Sequence, residues 1–472
     1  MIRKHLLAAS TALLGSPLLA AAPAVQTDAV GTAGAAAAAA QPATPLSEAD
    51  RAEAIKELQD LHQRMTALEN RLGVSPGVQV TPPAPRPPRD HNLELYGFTQ
   101  LDAIQDFKRV DPNWEGSLRA SKIPTTDGQF GSDGQSIFSV RQTRLGVKAS
   151  GTLHEKPYEA KFEFDLFGTG DDAGKTHMRI RHMYASWGPF LAGQTNTLFM
   201  DGDIAPNSIE YWGPPGMAWL RNPQVRWTFF DRNGFTAAVA LEHPSGDIDP
   251  GNIRLIDENV AANLQPDESL PDLTAAIRYG GKWGHVRLAG LLRKIGYETR
   301  NTTDNEPHGH QTGWGVDLTS AINIMSPVTL KLGAVYGRGI ATYMNDGGMD
   351  LAPATSVIFT PGSIILVPRA EAVKLFGLSA FADIQWSKNF SSTIGYSFDK
   401  VDNTNFQEPG AFHKGEYALV NLLWTPADPI MTGLELQWGK RTDNDGDKGH
   451  DLRLQYSFKW AFSSKNIWDL VD

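Results

Sequence analysis

The sequence predicts an all-β protein: a 16-stranded antiparallel transmembrane β-barrel with a short N-terminal α-helical coiled coil. Three observations predict this fold class. From residue 92 onward, apolar and polar residues alternate with a period of two, most clearly from Tyr158 to Leu166, as they do in a strand with two different faces. The connections between these segments alternate between long and short. Before residue 92 the apolar period is helical and is followed by a proline-rich stretch.

The composition narrows the possible classes of protein. The chain has 472 residues, with 43 Lys and Arg, 53 Asp and Glu, and no Cys. Its formal net charge of -10 argues against a nucleic-acid-binding protein. Without Cys there are no disulfides, thiolate metal sites or cysteine nucleophiles. A helical membrane span needs about 20 consecutive apolar residues, and only the N-terminal positions approach this, so helical membrane proteins are excluded.

Residues 1–24 predict a secretory signal peptide. Arg3 and Lys4 precede an apolar run from Leu6 to Ala20, and Ala22 to Ala24 supply a small-residue cleavage pattern. The alternative is a membrane anchor, but the apolar run is short and contains a proline. The signal places the mature protein beyond the inner membrane.

Three segments are predicted between the signal and the barrel. Residues 25–45 are rich in Ala and Pro, which predicts a disordered linker. Residues 46–73 predict a periplasmic coiled coil through which the chain associates with itself, although a lone amphipathic helix packed on the barrel is the alternative. Residues 74–91 are proline-rich and predict an extended tether. The apolar residues of the predicted coiled-coil seam are Leu58, Leu61, Met65, Leu68 and Leu72.

Residues 92–462 predict the barrel domain, and residues 463–472 a C-terminal tail. In the second predicted strand, Arg141 falls on the outward phase, which places it above the bilayer. The alternative for the whole region is a soluble sandwich. The sixteen predicted strands are residues 92–106, 136–150, 158–167, 177–187, 190–198, 223–231, 235–243, 272–280, 284–296, 313–325, 328–341, 373–386, 390–399, 416–425, 430–440 and 450–462.

Long polar connections on one side of the sheet and tight turns on the other are typical of outer-membrane barrels. Every lipid-facing backbone group must find a partner, so the sheet is expected to close. The connection 199–222 is long, aromatic and rich in proline. It has two interpretations: a segment folded into the pore that constricts it, or an ordinary extracellular loop.

Basic residues fall on the inward phase of the predicted strands and beside the connection 199–222. Lys and Arg in a narrow pore favour anions over cations, and an Arg guanidinium can hold a carboxylate through two hydrogen bonds. The alternative is that these residues pair with wall carboxylates and only maintain the barrel's shape. The predicted pore-lining residues are Arg144, Lys148, Lys161, Arg179, Arg181, Arg221, Arg226, Arg278, Arg287, Arg293 and Arg453.

Other candidate sites are weak. His308 and His310 lack further ligands at a diagnostic spacing for a metal. The segment from Asp443 to Asp447 has its glycine misplaced for a calcium loop, and a hairpin turn explains it better. Hydrolase motifs with a named nucleophile or zinc site do not occur. The sequence therefore predicts no catalytic residue, no cofactor and no metal.

Several motifs together resemble the DcaP-like outer-membrane porins. They include Arg144-Leu-Gly-Val147, Arg179-Ile-Arg-His182 and Asn222-Pro-Gln-Val-Arg-Trp227, besides the signal, coiled coil and tether. The likeness covers nearly the whole chain and is densest between residues 136 and 230. It implies a trimeric 16-stranded porin with a periplasmic coiled coil that takes up small anions such as dicarboxylic acids. One departure is that Phe462 ends the alternation while a tail continues beyond it.

The expected function is therefore an outer-membrane porin, a water-filled channel for passive diffusion of small anionic solutes such as dicarboxylates. The expected partners are the lipid bilayer, lipopolysaccharide, the anionic solutes and two further copies of the chain in a homotrimer. The alternatives are a phosphate-type anion-specific porin, an outer-membrane barrel enzyme and an adhesin.

Overall fold

A computed structural model of the chain describes residues 53, 55–61, 63–64, 91–168, 177–360 and 363–467. The chain divides into two compact units, Met1–Pro87 and Pro88–Asp472. In the first unit all the described residues are helical, within the predicted coiled coil. Two of the predicted seam residues, Leu58 and Leu61, are exposed there, as is Ile55. The predicted signal peptide, linker and tether lie outside the described residues.

The second unit is a closed antiparallel β-barrel of sixteen strands. Along the described chain each barrel strand pairs with the next, and the ring closes where β20 pairs with β1. Four further strands, β2, β9, β14 and β15, belong to the connections. The strands are β1 (His91–Asp106), β2 (Gln135–Ser139), β3 (Arg144–Leu153), β4 (Lys156–Asp165), β5 (Arg179–Trp187), β6 (Phe190–Asn196), β7 (Arg221–Arg232), β8 (Phe235–Glu242), β9 (Leu264–Asp267), β10 (Asp272–Gly281), β11 (Gly284–Thr299), β12 (Gly309–Met325), β13 (Val328–Arg338), β14 (Leu351–Thr360), β15 (Ser363–Ala372), β16 (Lys374–Gln385), β17 (Phe390–Asp402), β18 (Phe412–Ala427), β19 (Ile430–Asp443) and β20 (Lys448–Ser463).

The two faces of the barrel wall follow from the period of two. On β20 the apolar side chains of Leu454, Tyr456 and Phe458 are exposed, whereas Gln455 and Ser457 between them are buried. The exposed apolar face is the outside of the barrel and the polar face is the inside, the inverse of a soluble sheet. The prediction of a closed 16-stranded antiparallel barrel is therefore confirmed.

The second predicted strand, 136–150, was wrong as one continuous element. It is two strands, because β2 pairs with the end of β1 while β3 pairs with its beginning, and residues 140–143 turn between them. Arg141 lies in this turn and is buried, with its guanidinium donating to the Gly168 carbonyl and lying 4.3 Å from the centre of the Phe167 ring. It is not an outward residue above the bilayer.

The hydrophobic core of this unit lies inside the barrel. Three connections fold inward and pack on the inner wall: 107–124, here the entry segment; 197–220, here the inner loop; and 339–350, here the upper segment. Side chains of the inner loop and the upper segment form one buried cluster with inward residues of β8, β10, β11, β13, β16 and β17. The entry segment forms a second cluster, in which Leu118 and Ile123 meet Tyr417 on β18.

The remaining connections contain short helices and one hairpin, formed by β14 and β15. Among the described residues, no helix has the length and hydropathy needed to cross a bilayer. β20 ends at Ser463, one residue beyond the predicted end, and a single helical turn follows; residues 468–472 lie outside the described residues. The described helices of this unit are Pro112–Trp114, Ala120–Lys122, Gly202–Ile204, Gly251–Leu255, Glu258–Asn263, Thr303–Asn305, Ala341–Tyr343 and Ser464–Ile467.

Candidate functional site

The inner loop crosses the lumen and is held by the wall on several sides. Near its start, Asp201 accepts hydrogen bonds from the Thr319 hydroxyl (2.6 Å) and is paired with His285 Nε2 (2.7 Å). Arg287 donates to the backbone carbonyls of Leu198 and Phe199. These three wall residues lie on β11 and β12, so the beginning of the loop is fixed to that side of the barrel.

The middle of the inner loop is fixed to the opposite side. The Ile209 carbonyl accepts from Gln142 Nε2 (2.8 Å) and from Gln455 Nε2 (2.9 Å). The Ile209 N–H donates to Glu435 (3.1 Å). On the first side, Lys331 on β13, the strand next to β12, donates to the carbonyl of Ala205 at 2.6 Å. The connection predicted at 199–222 therefore folds into the barrel and narrows its lumen, and it is not an ordinary extracellular loop.

Gly216 shows why the inner loop can lie so close to the wall. Its N–H donates to the Ser397 hydroxyl (3.0 Å). A Cβ atom at this position would lie 2.2 Å from the Phe398 carbonyl oxygen and 2.5 Å from the Leu378 carbonyl oxygen. Only glycine fits against two backbone carbonyls at these distances.

Two aromatic side chains fix the turn of the inner loop. Tyr211 stacks on Phe167 with ring centres 3.6 Å apart. Trp212 donates from Nε1 to the Asn345 carbonyl (2.7 Å) in the upper segment. The guanidinium of Arg119, in the entry segment, lies 4.1 Å from the ring centre of Trp212. The turn therefore joins all three inward-folded segments.

Two cavities lie on either side of this junction. One has a volume of about 680 Å³ and is bordered by β1, β3, β5, β7 and β20. The other, of about 650 Å³, is bordered by the entry segment, the upper segment and the connections at the long-loop end. Trp212, Trp219, Leu220 and Asn345 belong to the walls of both cavities. These four residues therefore lie between the two cavities.

The first cavity has a cationic wall, here called the basic arc and defined by five residues. The carboxylates of Glu163 and Asp165 lie behind the arc rather than in the cavity wall. The basic arc consists of Arg144, Arg179, Arg181, Arg221 and Lys459.

Three of the five cations pair with those carboxylates. Arg181 lies 3.1 Å from Glu163 and 2.7 Å from Asp165. Arg179 lies 2.9 Å from Asp165, and Arg144 lies 3.6 Å from Glu163. Three cations of the arc therefore share two carboxylates, and among the described residues Arg221 and Lys459 form no ion pair, so the wall retains positive charge.

One acidic residue, Glu210, lines this cavity among the residues described. It is buried and accepts hydrogen bonds from the backbone N–H groups of Leu118 (2.8 Å) and Gly213. Burial raises the pKa of Glu210 to about 7, because a charged carboxylate loses its hydration there. Glu210 is therefore only partly ionised at neutral pH, and its negative charge offsets the positive charge of the basic arc only in part.

A sequence model of the family described as DcaP outer membrane protein matches residues 50–345, more than half of the chain. The chain belongs to the DcaP outer membrane protein family. No curated protein sequence matches it.

Solved structures support the same fold for this DcaP family member. The crystal structure of the outer membrane channel DcaP of Acinetobacter baumannii is similar at 24% sequence identity, covering 79% of this chain and 97% of that one with a TM-score of 0.63. OmpF of Salmonella typhi, in complex with daunomycin, is similar at 12% identity, covering 79% and 98% with a TM-score of 0.50. These structures show the porin fold, and with the family match they favour an outer-membrane channel over a barrel enzyme.

Of the eleven residues predicted to line the pore of this DcaP family member, four lie in the basic arc. Four others face inward outside that cavity. Lys148 lies 4.0 Å from Glu94 and from Glu159, and Lys161 lies 3.2 Å from Glu163. Arg226 and Arg278 also have partners at the wall: Arg226 donates to Gln224 and to the Asn196 carbonyl, and Arg278 lies 2.7 Å from Asp203.

The structure corrects the prediction for the last three, Arg287, Arg293 and Arg453, which are buried and not exposed to the passage. Arg287 holds the inner loop. Arg293 lies 3.2 Å from both Asp272 and Asp350, and Arg453 pairs with Asp106. The strand phase is inward as predicted, but inward-folded segments cover these side chains. Arg293 and Arg453 follow the alternative interpretation, in which arginines pair with wall carboxylates, whereas Arg287 donates to backbone carbonyls of the inner loop.

Lys459 was missed by the sequence prediction although a signal for it existed. It lies between the outward residues Phe458 and Trp460, so the period of two places it inward. Glu210 and Gln142 were also missed. Their roles depend on how the inner loop folds, and no local pattern reveals that.

One group of possible metal ligands occurs among the described residues. Donor atoms of Asp201, Asp203 and His285 lie within 4.8 Å of one another. Each already has a partner, because Asp201 is hydrogen-bonded to Thr319 and His285 and Asp203 is paired with Arg278. The group is explained by the anchoring of the inner loop.

Proposed function

We propose that the chain forms a water-filled channel through which small anionic solutes, such as dicarboxylates, diffuse passively across the outer membrane. The observation that supports this most directly is the basic arc, where five cations border one cavity and two carboxylates stand behind them. A cationic lining lowers the barrier for anions and raises it for cations.

The proposed mechanism needs attraction without tight retention. A carboxylate that leaves bulk water loses hydration, and charge-assisted hydrogen bonds from guanidinium and ammonium groups replace it. Several cations along one wall give the solute successive partners of similar strength, so it does not remain at one of them. No covalent step is involved, and the net flux follows the concentration gradient.

We also propose the arrangement of the whole chain in the envelope. The signal peptide 1–24 is removed, and the linker, the coiled coil 46–73 and the tether lie in the periplasm. Self-association through the coiled coil supports a homotrimer, since Leu58 and Leu61 on the described helix are exposed and a short helix is marginally stable alone. The barrel contacts the lipid bilayer and lipopolysaccharide through its outer face.

Reversal potentials in planar lipid bilayers test this function. Purified protein is inserted under a KCl gradient, and the sign of the zero-current potential reports whether chloride or potassium crosses more easily. We expect the anion-selective sign, and block of the chloride current by succinate at lower concentration than by phosphate. A cation-selective potential contradicts the proposal, and stronger block by phosphate favours the phosphate-type porin.

A further inference from the structure

Arg221 and Lys459 differ from the other cations of the basic arc in what surrounds their charges. Arg144, Arg179 and Arg181 each have a carboxylate partner. Within the part of the chain that the structure describes, no carboxylate forms an ion pair with Arg221 or Lys459. Among the described residues, no wall carboxylate therefore accepts a hydrogen bond from the guanidinium of Arg221 or the ammonium of Lys459.

Arg221 is the first residue of β7 and borders the cavity directly. Its Nε is buried and has no hydrogen-bond partner among the described residues. Its nearest aromatic neighbour is Trp219, with the guanidinium 5.8 Å from the ring centre. A buried donor without an acceptor costs free energy. The Nη groups of Arg221 form no hydrogen bond among the described residues, and they are the donors that an anionic solute in the cavity would accept from.

Lys459 reaches the same cavity from β20, at the other end of the basic arc. Its ammonium lies 5.3 Å from the centre of the Phe98 ring, and the Arg144 guanidinium lies 5.1 Å from the same ring. The π electrons of the Phe98 ring attract both cations. It accepts no conventional hydrogen bond, so the three N–H donors of Lys459 remain available to a solute.

We propose that Arg221 and Lys459 are the specificity-determining residues of the channel, the two cations that contact the carboxylates of the permeating solute. Glu163 and Asp165 hold the other three arginines as fixed parts of the wall. This inference rests on the proposed anion channel. It assigns the discrimination between solutes to Arg221 and Lys459. Each of the two cations offers its unpaired donors to a carboxylate of the solute as the solute passes.

The test substitutes each cation by an apolar side chain of similar length. Arg221→Met and Lys459→Met are measured in planar bilayers for the chloride-to-potassium permeability ratio and for the succinate concentration that halves the chloride current. Each variant is expected to raise the half-blocking concentration roughly tenfold, the loss expected for one charge-assisted hydrogen bond. Lys459→Arg is expected to restore most of the block. Lys448→Met, at the exposed beginning of β20, is expected to leave both quantities unchanged.

Two further variants keep the outcome decisive. Arg221→Gln and Lys459→Gln retain polarity at each position, and heat-modifiable gel migration confirms that every variant is folded. If the folded variants keep the half-blocking concentration and permeability ratio of the unsubstituted protein, this inference is wrong while the anion channel stands. If Arg181→Met has the larger effect on block, the assignment to unpaired cations is wrong. If the unsubstituted protein is not anion-selective, the proposed function itself fails.

Discussion

Two parts of the inner wall carry arginines on the same inward phase but use them differently. On the side of β3 and β5, Arg144 and Arg179 border an open cavity. On the side covered by inward-folded segments, Arg293 and Arg453 are buried in ion pairs. The strand decides on which side of the wall a charge lies. The inward-folded segments decide whether water and solute reach it.

The largest expected effect comes from breaking a buried pair on the covered side. Arg453→Met leaves Asp106 buried without its guanidinium partner. Removing one member of a buried ion pair typically costs about 3 to 5 kcal/mol. We expect a drop of that size in the free energy of unfolding, measured by urea titration in detergent. Arg221→Met, on the open side, is the matched control.

We expect the control to lower the free energy of unfolding by less than about 1 kcal/mol, since no carboxylate is left unpaired among the described residues. Equal destabilisation by the two variants would contradict the distinction between the covered and the open wall.

A second expected effect concerns Glu210, which lies in the inner loop between the two sides. Its folded pKa of about 7 is above the ordinary value of 4.5, so the folded state binds the proton more tightly than the unfolded state. The stabilisation from this group is complete below pH 4.5 and is lost as the pH rises through 7. The loss amounts to at most about 3 kcal/mol.

Urea titrations between pH 5 and pH 8 measure this dependence, and Glu210→Gln removes the titrating group. We expect the free energy of unfolding to fall less over this range in the variant than in the unsubstituted protein. Identical pH profiles would show that Glu210 does not titrate in this range.

Strand β20 shows most clearly which features of the candidate site the sequence predicts and which it does not. Arg453 and Lys459 lie on the same face of the same strand, and the period of two places both inward. Only Arg453 was chosen as a pore residue, yet it is buried with Asp106, whereas Lys459 borders the cavity. Lys108, in the entry segment, donates its N–H to Asp451 beside Arg453. Strand phase is a local property, but the burial of one end of this strand depends on a connection that is distant in sequence.

The same reasoning explains which features of the lumen were found. The closed barrel follows from period and connection length, which are both local. The inner loop was recognised as a candidate because it is long, aromatic and rich in proline, but its anchors on β11, β12 and β20 are long-range contacts. The entry and upper segments carry no comparable signal, and their inward fold was not predicted.

A smaller effect is expected at Trp212, which borders both cavities. Arg119 lies 4.1 Å from the ring centres of both Trp114 and Trp212, but only Trp212 lines the two cavities. Trp212→Ala and Trp114→Ala therefore both lose a cation–π contact with Arg119, worth about 0.5 to 2 kcal/mol each. Only Trp212→Ala also removes a side chain that lies between the two cavities. We expect both to be mildly destabilised and only Trp212→Ala to show a higher single-channel conductance.

Equal conductance of the two tryptophan variants would place the narrowest point of the passage elsewhere.

The smallest effect is expected for an ion pair that is exposed to solvent. Arg254 and Glu408 pair between two connections, with side chains 47% and 46% exposed. Exposed pairs contribute about 0 to 1 kcal/mol, because water screens both charges and the pair costs side-chain entropy. Arg254→Met should therefore change the free energy of unfolding by less than about 1 kcal/mol in the urea titration used for Arg453→Met. The same chemical pair would then differ severalfold in its contribution to stability between the covered wall and the exposed connections. Burial beneath the inward-folded segments, and not the pairing itself, would then determine what an arginine does in this barrel.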